Sequence, residues 1–314
     1  MVGKQIKMKK QLSLLLLCSI LLINIVKAQD ANDDAPIKID TLLLTMPLTV
    51  SDKNGRNIPG LKKENFSIFQ NGEEQDIEFF FNEEAPMNVA ILIDTSASTE
   101  KVLDKLQKAA RDFVKILRPE DKGVIVSFDY RTVFLSELTA DKKKLSKAID
   151  QTAVTDKAGS DMNDAVLQIV KKYFAAFKGR KAVIALTDGM VIKQAVSSQQ
   201  VIDVLRKSDT VFYPVIFKTK SYSEAMLRAA ANKQRKPMSI EILEIVAQET
   251  AGKFYEKDVT DLKAAFQSIA EELKNQYLLG FYPQNTETGK SSADIRIEVD
   301  RKDFRVKTKK RWSF

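Results

Sequence analysis

The sequence predicts an α/β protein in which a doubly wound, mostly parallel sheet is inserted into a small antiparallel β domain. Three observations carry that prediction. Between Met87 and Lys274, short continuous apolar runs alternate with amphipathic helical periods, the pattern of a parallel sheet covered by helices on both faces. On either side, residues 37–81 and 276–314 alternate apolar and polar residues with period two. A chain that enters at the first parallel strand and leaves from the last helix does so at one end of the sheet, so the two β flanks are expected to meet there.

Each element has its own signal. IKIDTLLLTMPLTVSD and FSIFQNGEEQDIEFFF read as strands, separated by a turn over Lys53–Arg56 with Gly55; Asn71-Gly72 is a hairpin pair. NVAILID is a buried strand, and VLDKLQKAARDFVKIL repeats its apolar residues at helical spacing. GVIVSF is a strand, followed by a turn over Asp129–Arg131 and the short strand TVFL. Helices are expected near Lys142–Ile149 and over Met162–Phe177, then the strand KAVIALT, a helix near Gln199–Leu205 and the strand VFYPVIF. IEILEIVAQET and LKAAFQSIAEEL close the helical part, after which QYLLGFYP and ADIRIEVDRKDFRVKTKKRW return to β alternation.

The first residues are of another kind. Lys4, Lys7, Lys9 and Lys10 precede the apolar run LSLLLLCSILLINIV, and VKA stands before Gln29, which reads as a secretory signal peptide over residues 1–28. The run is broken by Ser13, Ser19 and Asn24 and is shorter than the ~20 residues of a membrane span, so no stable membrane insertion is expected. Leu17 before Cys18 argues against a lipid anchor. The expected organisation is 1–28 signal peptide, 29–85 the first part of the β domain, 86–275 the α/β domain and 276–314 the strands that complete the β domain. Export places the protein in a periplasmic or extracellular setting.

Composition narrows the chemistry. The formal charge is +8, with 50 basic and 42 acidic residues. Five of the lysines lie in residues 1–28 with no acid, which leaves 45 basic against 42 acidic residues and a net charge of +3. Phosphate-backbone binding needs a concentrated basic face, so no nucleic-acid partner is expected. The single cysteine is Cys18 and there is no histidine. The remaining chain therefore has no disulfide, no thiol catalysis, no zinc site of the usual type and no histidine-dependent triad.

The stretch ILIDTSAST, Ile91 to Thr99, ends a buried strand in one carboxylate and follows it with alternating hydroxyls. Asp94 thus lies at the strand exit, which is the ligand-binding edge of an open α/β sheet. Two later loops reach the same edge: AGSDMND, with Gly159 and Ser160 ahead of a helix, and ALTDG, where Asp188 follows the strand that ends at Thr187. Together they offer carboxylate and hydroxyl oxygens, the donors that hard divalent cations choose, and a hydroxyl-rich shell leaves the cation's charge incompletely cancelled. Such a site favours an incoming anionic oxygen.

ILIDTSAST, AGSDMND and LTDG in this order resemble the metal-ion-dependent adhesion site of von Willebrand factor type A domains. LTVSDKNGRNIPGLKKENFSIFQNGEEQDIEFF ahead of them and QYLLGFYP behind resemble the bacterial secreted proteins related to that family, so the likeness covers nearly all of the chain after residue 28. The resemblance implies Mg²⁺ as the metal, with Mn²⁺ or Ca²⁺ as alternatives, held by Asp94, Ser96, Ser98, Ser160 and Asp188. It implies direct ligation by Ser96 and Ser98, and action mainly through coordinated water for Asp94 and Asp188. Ser160 stands where the family usually has Thr and lacks the methyl group that restricts χ1. Ala158 replaces a more usual Gly, while Thr187 and Gly189 fit the third loop without needing to touch metal.

Each piece alone has a plainer account: DTSAS as a helix N-cap run, TDG as a turn, AGSDMND as a capped helix start. Their order is what joins them. Ser98-Thr99-Glu100-Lys101 matches S-x-x-K, but neither SDN nor KTG occurs, and there is no GxxxxGK[ST] loop. Asp161 and Asp164 are the acids nearest the site, and helix capping or solvent contact accounts for them without a general-base role. No catalytic motif is present, so a binding protein rather than an enzyme is expected, one that recognises a protein ligand through an Asp or Glu carboxylate. A scaffold with a non-essential metal site, and an accessory subunit or hydrolase, stand as alternatives. The segment 218–236 carries Lys218, Lys220, Arg228, Lys233, Arg235 and Lys236 against one acid, Glu224. It reads either as a basic rim that steers an acidic ligand or as a solvated loop.

Overall fold

In the computed structural model, residues 43–82, 84–155, 160–177, 179–190, 195–232, 234, 237–284 and 294–309 are described, the side chain of Met238 aside. The expected signal peptide, Ala158, Gly159, Lys233, Arg235, Lys236 and the last residues of the basic C-terminus lie outside them.

The period-two segments before residue 82 form β1 (Leu44–Ser51), β2 (Phe66–Gln70), β3 (Glu73–Gln75) and β4 (Phe79–Phe81). Asn71 and Gly72, with φ of 52° and 88°, make the two-residue turn between β2 and β3 that Asn-Gly favours. In the turn over Lys53–Arg56, the Asp52 carboxylate accepts from the backbone N–H groups of Asn54 and Arg56.

The α/β part opens with β5 (Met87–Asp94), then helix α1 (Leu103–Ile116), β6 (Lys122–Phe128), β7 (Thr132–Phe134), α2 (Lys142–Asp150) and α3 (Met162–Gln168). It continues with β8 (Arg180–Thr187), α4 (Ser198–Lys207), β9 (Thr210–Phe217), α5 (Lys220–Ala231), α6 (Met238–Glu249), β10 (Tyr255–Lys257) and α7 (Leu262–Lys274). β11 (Gln276–Phe281), β12 (Ile295–Val299) and β13 (Arg305–Thr308) follow.

Six strands form one sheet in the order β10-β9-β8-β5-β6-β7, all parallel except the edge strand β7. β5 pairs with β6 on one side and β8 on the other, so the strand order reverses between β5 and β8. The alternation along β5 serves two cores. Val89, Ile91 and Ile93 pack with α1, α2 and α7, while Ala90 and Leu92 pack on the opposite face with α3, α4 and α6. A strand buried on both faces needs the unbroken apolar run that the sequence shows.

The remaining strands make two antiparallel sheets, β13-β1-β11-β4 and β12-β2-β3. Each joins strands from before residue 87 to strands from after residue 275: Leu44 lies opposite Phe281 in the first and Phe66 opposite Val299 in the second. Met46, Leu48, Ile68, Tyr277, Phe281 and Ile297 share one core between them.

Three elements depart from the expected pattern. The helix expected over Met162–Phe177 is α-helical only to Gln168 and continues as a π turn over Ile169–Tyr173 and a 3₁₀ turn over Phe174–Ala176. The added residue lets Ile169, Val170 and Phe174 all face the sheet while Lys171 and Lys172 stay outside. β10 is three residues long, too short for a periodic signal. Lys220–Ala231 is a helix, not a loop, started by the Thr219 hydroxyl accepting from the Tyr222 N–H.

Candidate metal centre

Asp94 ends β5, and Asp188 follows β8, the two strands that flank the reversal of strand order. In the register of the pair, Ile93 lies opposite Leu186, which brings Asp94 level with Thr187. The crevice at such a reversal, beyond the carboxyl ends of the strands, is where open α/β sheets bind ligands.

Local hydrogen bonds set each side chain. Thr95 N–H donates to the Phe128 carbonyl at 2.9 Å, which carries the ladder one residue past β5. Asp94 Oδ1 then accepts from the Ser96 N–H at 3.0 Å, and the Thr99 hydroxyl donates to the Ser96 carbonyl at 2.8 Å. Ser96 is extended, with φ −66° and ψ 159°, and a 3₁₀ turn follows it over Ala97–Val102. That bend answers the alternation in the sequence: Ser96 Oγ and Ser98 Oγ emerge side by side, 3.2 Å apart.

The third loop is tied to the first. The Thr187 hydroxyl donates to Asp94 Oδ2 at 2.7 Å and accepts from the Gly189 N–H at 3.0 Å. Gly189 has φ +73°, a conformation that a side chain would strain. Asp188 Oδ1 accepts from the Met190 N–H at 3.0 Å, and its Oδ2 from the Thr219 hydroxyl at 2.9 Å.

Ser160 is buried, and its backbone is fixed through its neighbour. Asp161 N–H donates to the Asp129 carbonyl at 2.7 Å, and the Asp161 carboxylate accepts from the N–H groups of Asp164 and Ala195 at 3.0 and 2.8 Å. Asp164 in turn accepts from the Thr132 hydroxyl and the Gln168 amide, both at 2.6 Å. These two acids cap and tether their helix, which is the plainer role read from the sequence.

The electrostatics separate Asp94 from an ordinary surface acid. It is 0% exposed. Burial first, and the charge of Asp188 second, push its carboxyl up to about 6, and the donors Ser96 and Thr187 offset only part of this. Among the described residues no Lys or Arg forms an ion pair with either acid, and no cluster of three or more His, Cys, Asp or Glu occurs. Among the described residues the centre thus consists of two carboxylates faced by hydroxyl and backbone N–H donors.

This donor set fits a divalent cation. Adjacent ligands on an octahedral Mg²⁺ at ~2.1 Å are ~3.0 Å apart, close to the 3.2 Å between the two serine oxygens. Asp94, Ser96, Ser98, Ser160 and Asp188 are the residues that would hold it. When bound, it would offset the repulsion between the two acids and supply a Lewis-acidic position.

Thr219 was not among the expected site residues. It lies 31 positions from Asp188 and its sequence signal, a hydroxyl before a helix, reads only as a cap. The basic segment does leave the sheet edge beside Asp188, but it does so as α5, with Lys220 and Arg228 each 3.8 Å from Glu224 and Lys218 3.6 Å from Asp258.

Residues 89–190 match the family model of the von Willebrand factor type A domain. A von Willebrand factor type A structure from Catenulispora acidiphila is similar at a TM-score of 0.50 and 11% identity, over 85% of this chain and 73% of that one. Proximal thread matrix protein 1 from the mussel byssus is similar at 0.50 and 15% identity, over 64% of this chain and 49% of that one. This chain thus spans about half of the mussel protein's chain. BatB from Bacteroides thetaiotaomicron is similar at 0.47 and 14% identity, over 60% of this chain and 97% of that one. At these identities the likeness to the first two is one of fold. No curated protein matches the chain.

Proposed function

We propose, from the premise that residues 89–190 form a von Willebrand factor type A domain, that this is an exported binding protein whose Mg²⁺-dependent site recruits a macromolecular ligand. The ligand supplies an Asp or Glu carboxylate to a cation held by Asp94, Ser96, Ser98, Ser160 and Asp188, and the antiparallel β sheets serve as the base. The observation that carries this reading is the pair of acids at the β5–β8 edge, faced by hydroxyl and N–H donors instead of a described cation. A structural acid in such a place is normally paired. Export rests on the lysine-led apolar segment of residues 1–28. Among the described residues no helix is long and apolar enough to cross a membrane.

Calorimetric titration of Mg²⁺ and Mn²⁺ into the parent and into Asp94→Ala tests the site. Saturable heat is expected from the parent and none from the variant. Equal heats from both would end the proposal.

A further inference from the structure

Beside the candidate metal centre lies a cavity of about 210 Å³. Two residues of the centre form part of its wall: Ser160, and Thr187, whose hydroxyl donates to Asp94. The rest is mostly apolar and comes from Met162 of α3, Met190 after β8, and Ile242 and Leu243 of α6. The wall is braced. Ser239, also of α6, donates through its hydroxyl to the Gly189 carbonyl at 2.8 Å, and Asn163 donates to the Val196 carbonyl at 2.9 Å.

The geometry points to this cavity as a second recognition site, one that receives a Leu- or Met-sized side chain of the same partner, within a residue or two of the carboxylate that reaches the cation. The inference rests on the proposed metal-dependent binding and specifies its ligand: an acidic residue with an apolar neighbour. Two arguments select this occupant. Apolar cavities of roughly 150 Å³ take up benzene, so 210 Å³ holds one large side chain and no more. The walls are continuous with the centre through Ser160 and Thr187, so a group at the centre and a group in the cavity are within one short span of chain. The two sites also divide the work. The centre selects a negative oxygen and cannot tell one carboxylate from another, whereas a shaped apolar cavity adds discrimination by size.

Small carboxylates reproduce both halves of such a ligand. With the full chain in Mn²⁺, 4-methylpentanoate is expected to bind at least about tenfold more tightly than acetate, since each buried methylene gives roughly 3–4-fold. Without metal, 4-methylpentan-1-ol is expected to bind the cavity, followed by NMR shifts of Met162, Met190 and Leu243. Leu243→Trp, and independently Ile242→Trp on the half-buried neighbour, should abolish the alcohol shifts and the preference for the longer acid while leaving the Mn²⁺ heat intact. Equal affinity for the two acids, or a preference that survives in both filled variants, overturns the inference. Absence of alcohol binding beside an intact Mn²⁺ heat also overturns it and leaves the metal reading standing. Alcohol binding without any gain of either acid from Mn²⁺ supports the cavity and overturns the metal reading.

Discussion

Asp94 and Asp121 are equally withdrawn from water, at 0% and 1% exposure, yet their carboxyls shift in opposite directions. Asp94 sits at the carboxyl end of the parallel strands and is raised to about 6, first by burial and then by the charge of Asp188. Asp121 sits at the other end, before β6. Burial raises it too, but the side chain and N–H of Arg118 and the N–H of Met87 outweigh burial, and its carboxyl lies below the ordinary value. Lys181 at that end is likewise paired, 3.0 Å from Asp209. Lys309 donates to the Leu205 and Arg206 carbonyls at the end of α4, and burial, offset only in part by Asp209, lowers its amine to about 7. At the Asp121 end a cationic neighbour accompanies the buried acid, whereas among the described residues Asp94 and Asp188 are faced by hydroxyl and N–H donors alone.

Arg180, at the start of β8, is the strongest handle on the matched end. Its guanidinium donates to the Leu273 carbonyl at 2.7 Å, to the Gln276 carbonyl at 3.3 Å and to the Ala85 carbonyl, so it holds together the chain entering and leaving the α/β part. Arg180→Ala removes one donor from each carbonyl, with Arg118 still on Ala85 and the Asn275 N–H still on Leu273, and opens a cavity, an expected loss of about 3–5 kcal/mol. Chemical denaturation measures it, and calorimetry on the folded variant should return the parental Mn²⁺ heat. A loss below about 1 kcal/mol would remove Arg180 from the joint.

The opposite end should respond to charge removal in the opposite sense. In metal-free protein, Asp94 in the folded state holds its proton between its ordinary value of 3.8 and about 6, where the unfolded chain has released it. Stability present at low pH is therefore lost as pH rises through that window, by up to about 3 kcal/mol. Asp94→Asn should lack this slope and be the more stable chain at pH 7, with no metal heat. Denaturation between pH 4 and 7 in chelator decides the matter; a parent as flat as the variant would mean that burial costs Asp94 nothing.

Asp121 supplies the smaller, mirrored effect. Its lowered carboxyl contributes stability above the ordinary carboxylate range that is lost as pH falls through its folded value, the reverse of Asp94. Asp121→Asn keeps the shape but weakens the charge-assisted bonds from Arg118, at 2.9 Å to one oxygen and 2.9 Å to the other. The expected cost is about 1–3 kcal/mol at pH 7. Unfolding midpoints for the two asparagine variants should move in opposite directions at that pH, and movement in the same direction would break the contrast.

The two ends were also unequally legible in the sequence. Asp94, Ser96 and Ser98 could be read because they follow a strand that must be apolar on both faces, and Ser160 and Asp188 because two later loops reach the same edge. Arg180 could not. Its partners, Ala85, Leu273 and Gln276, lie far along the chain, and next to Lys181 it looks like a solvated strand end. Alternation told which residues of the flanks face a core but not that they divide into two sheets, since period two fixes a face and not a neighbour. Thr219 escaped for the reason that Arg180 did: its contact with Asp188 is made by the fold, while its local pattern is complete as a helix cap.

The finest test of the contrast is at Ser160. It offers one hydroxyl to the candidate centre and, unlike Thr, leaves χ1 free, so ordering it on a cation costs rotational entropy that a β-branched residue has already lost. Ser160→Thr is therefore expected to tighten Mg²⁺ by about 2–5-fold, roughly 0.4–1 kcal/mol, with unfolding in chelator nearly unchanged. The added methyl group also enters the wall of the neighbouring cavity, which Ser160 lines. The same variant should accordingly weaken 4-methylpentan-1-ol while it strengthens the metal. If both affinities rose together, Ser160 would face only the centre, and the common wall between centre and cavity would be lost.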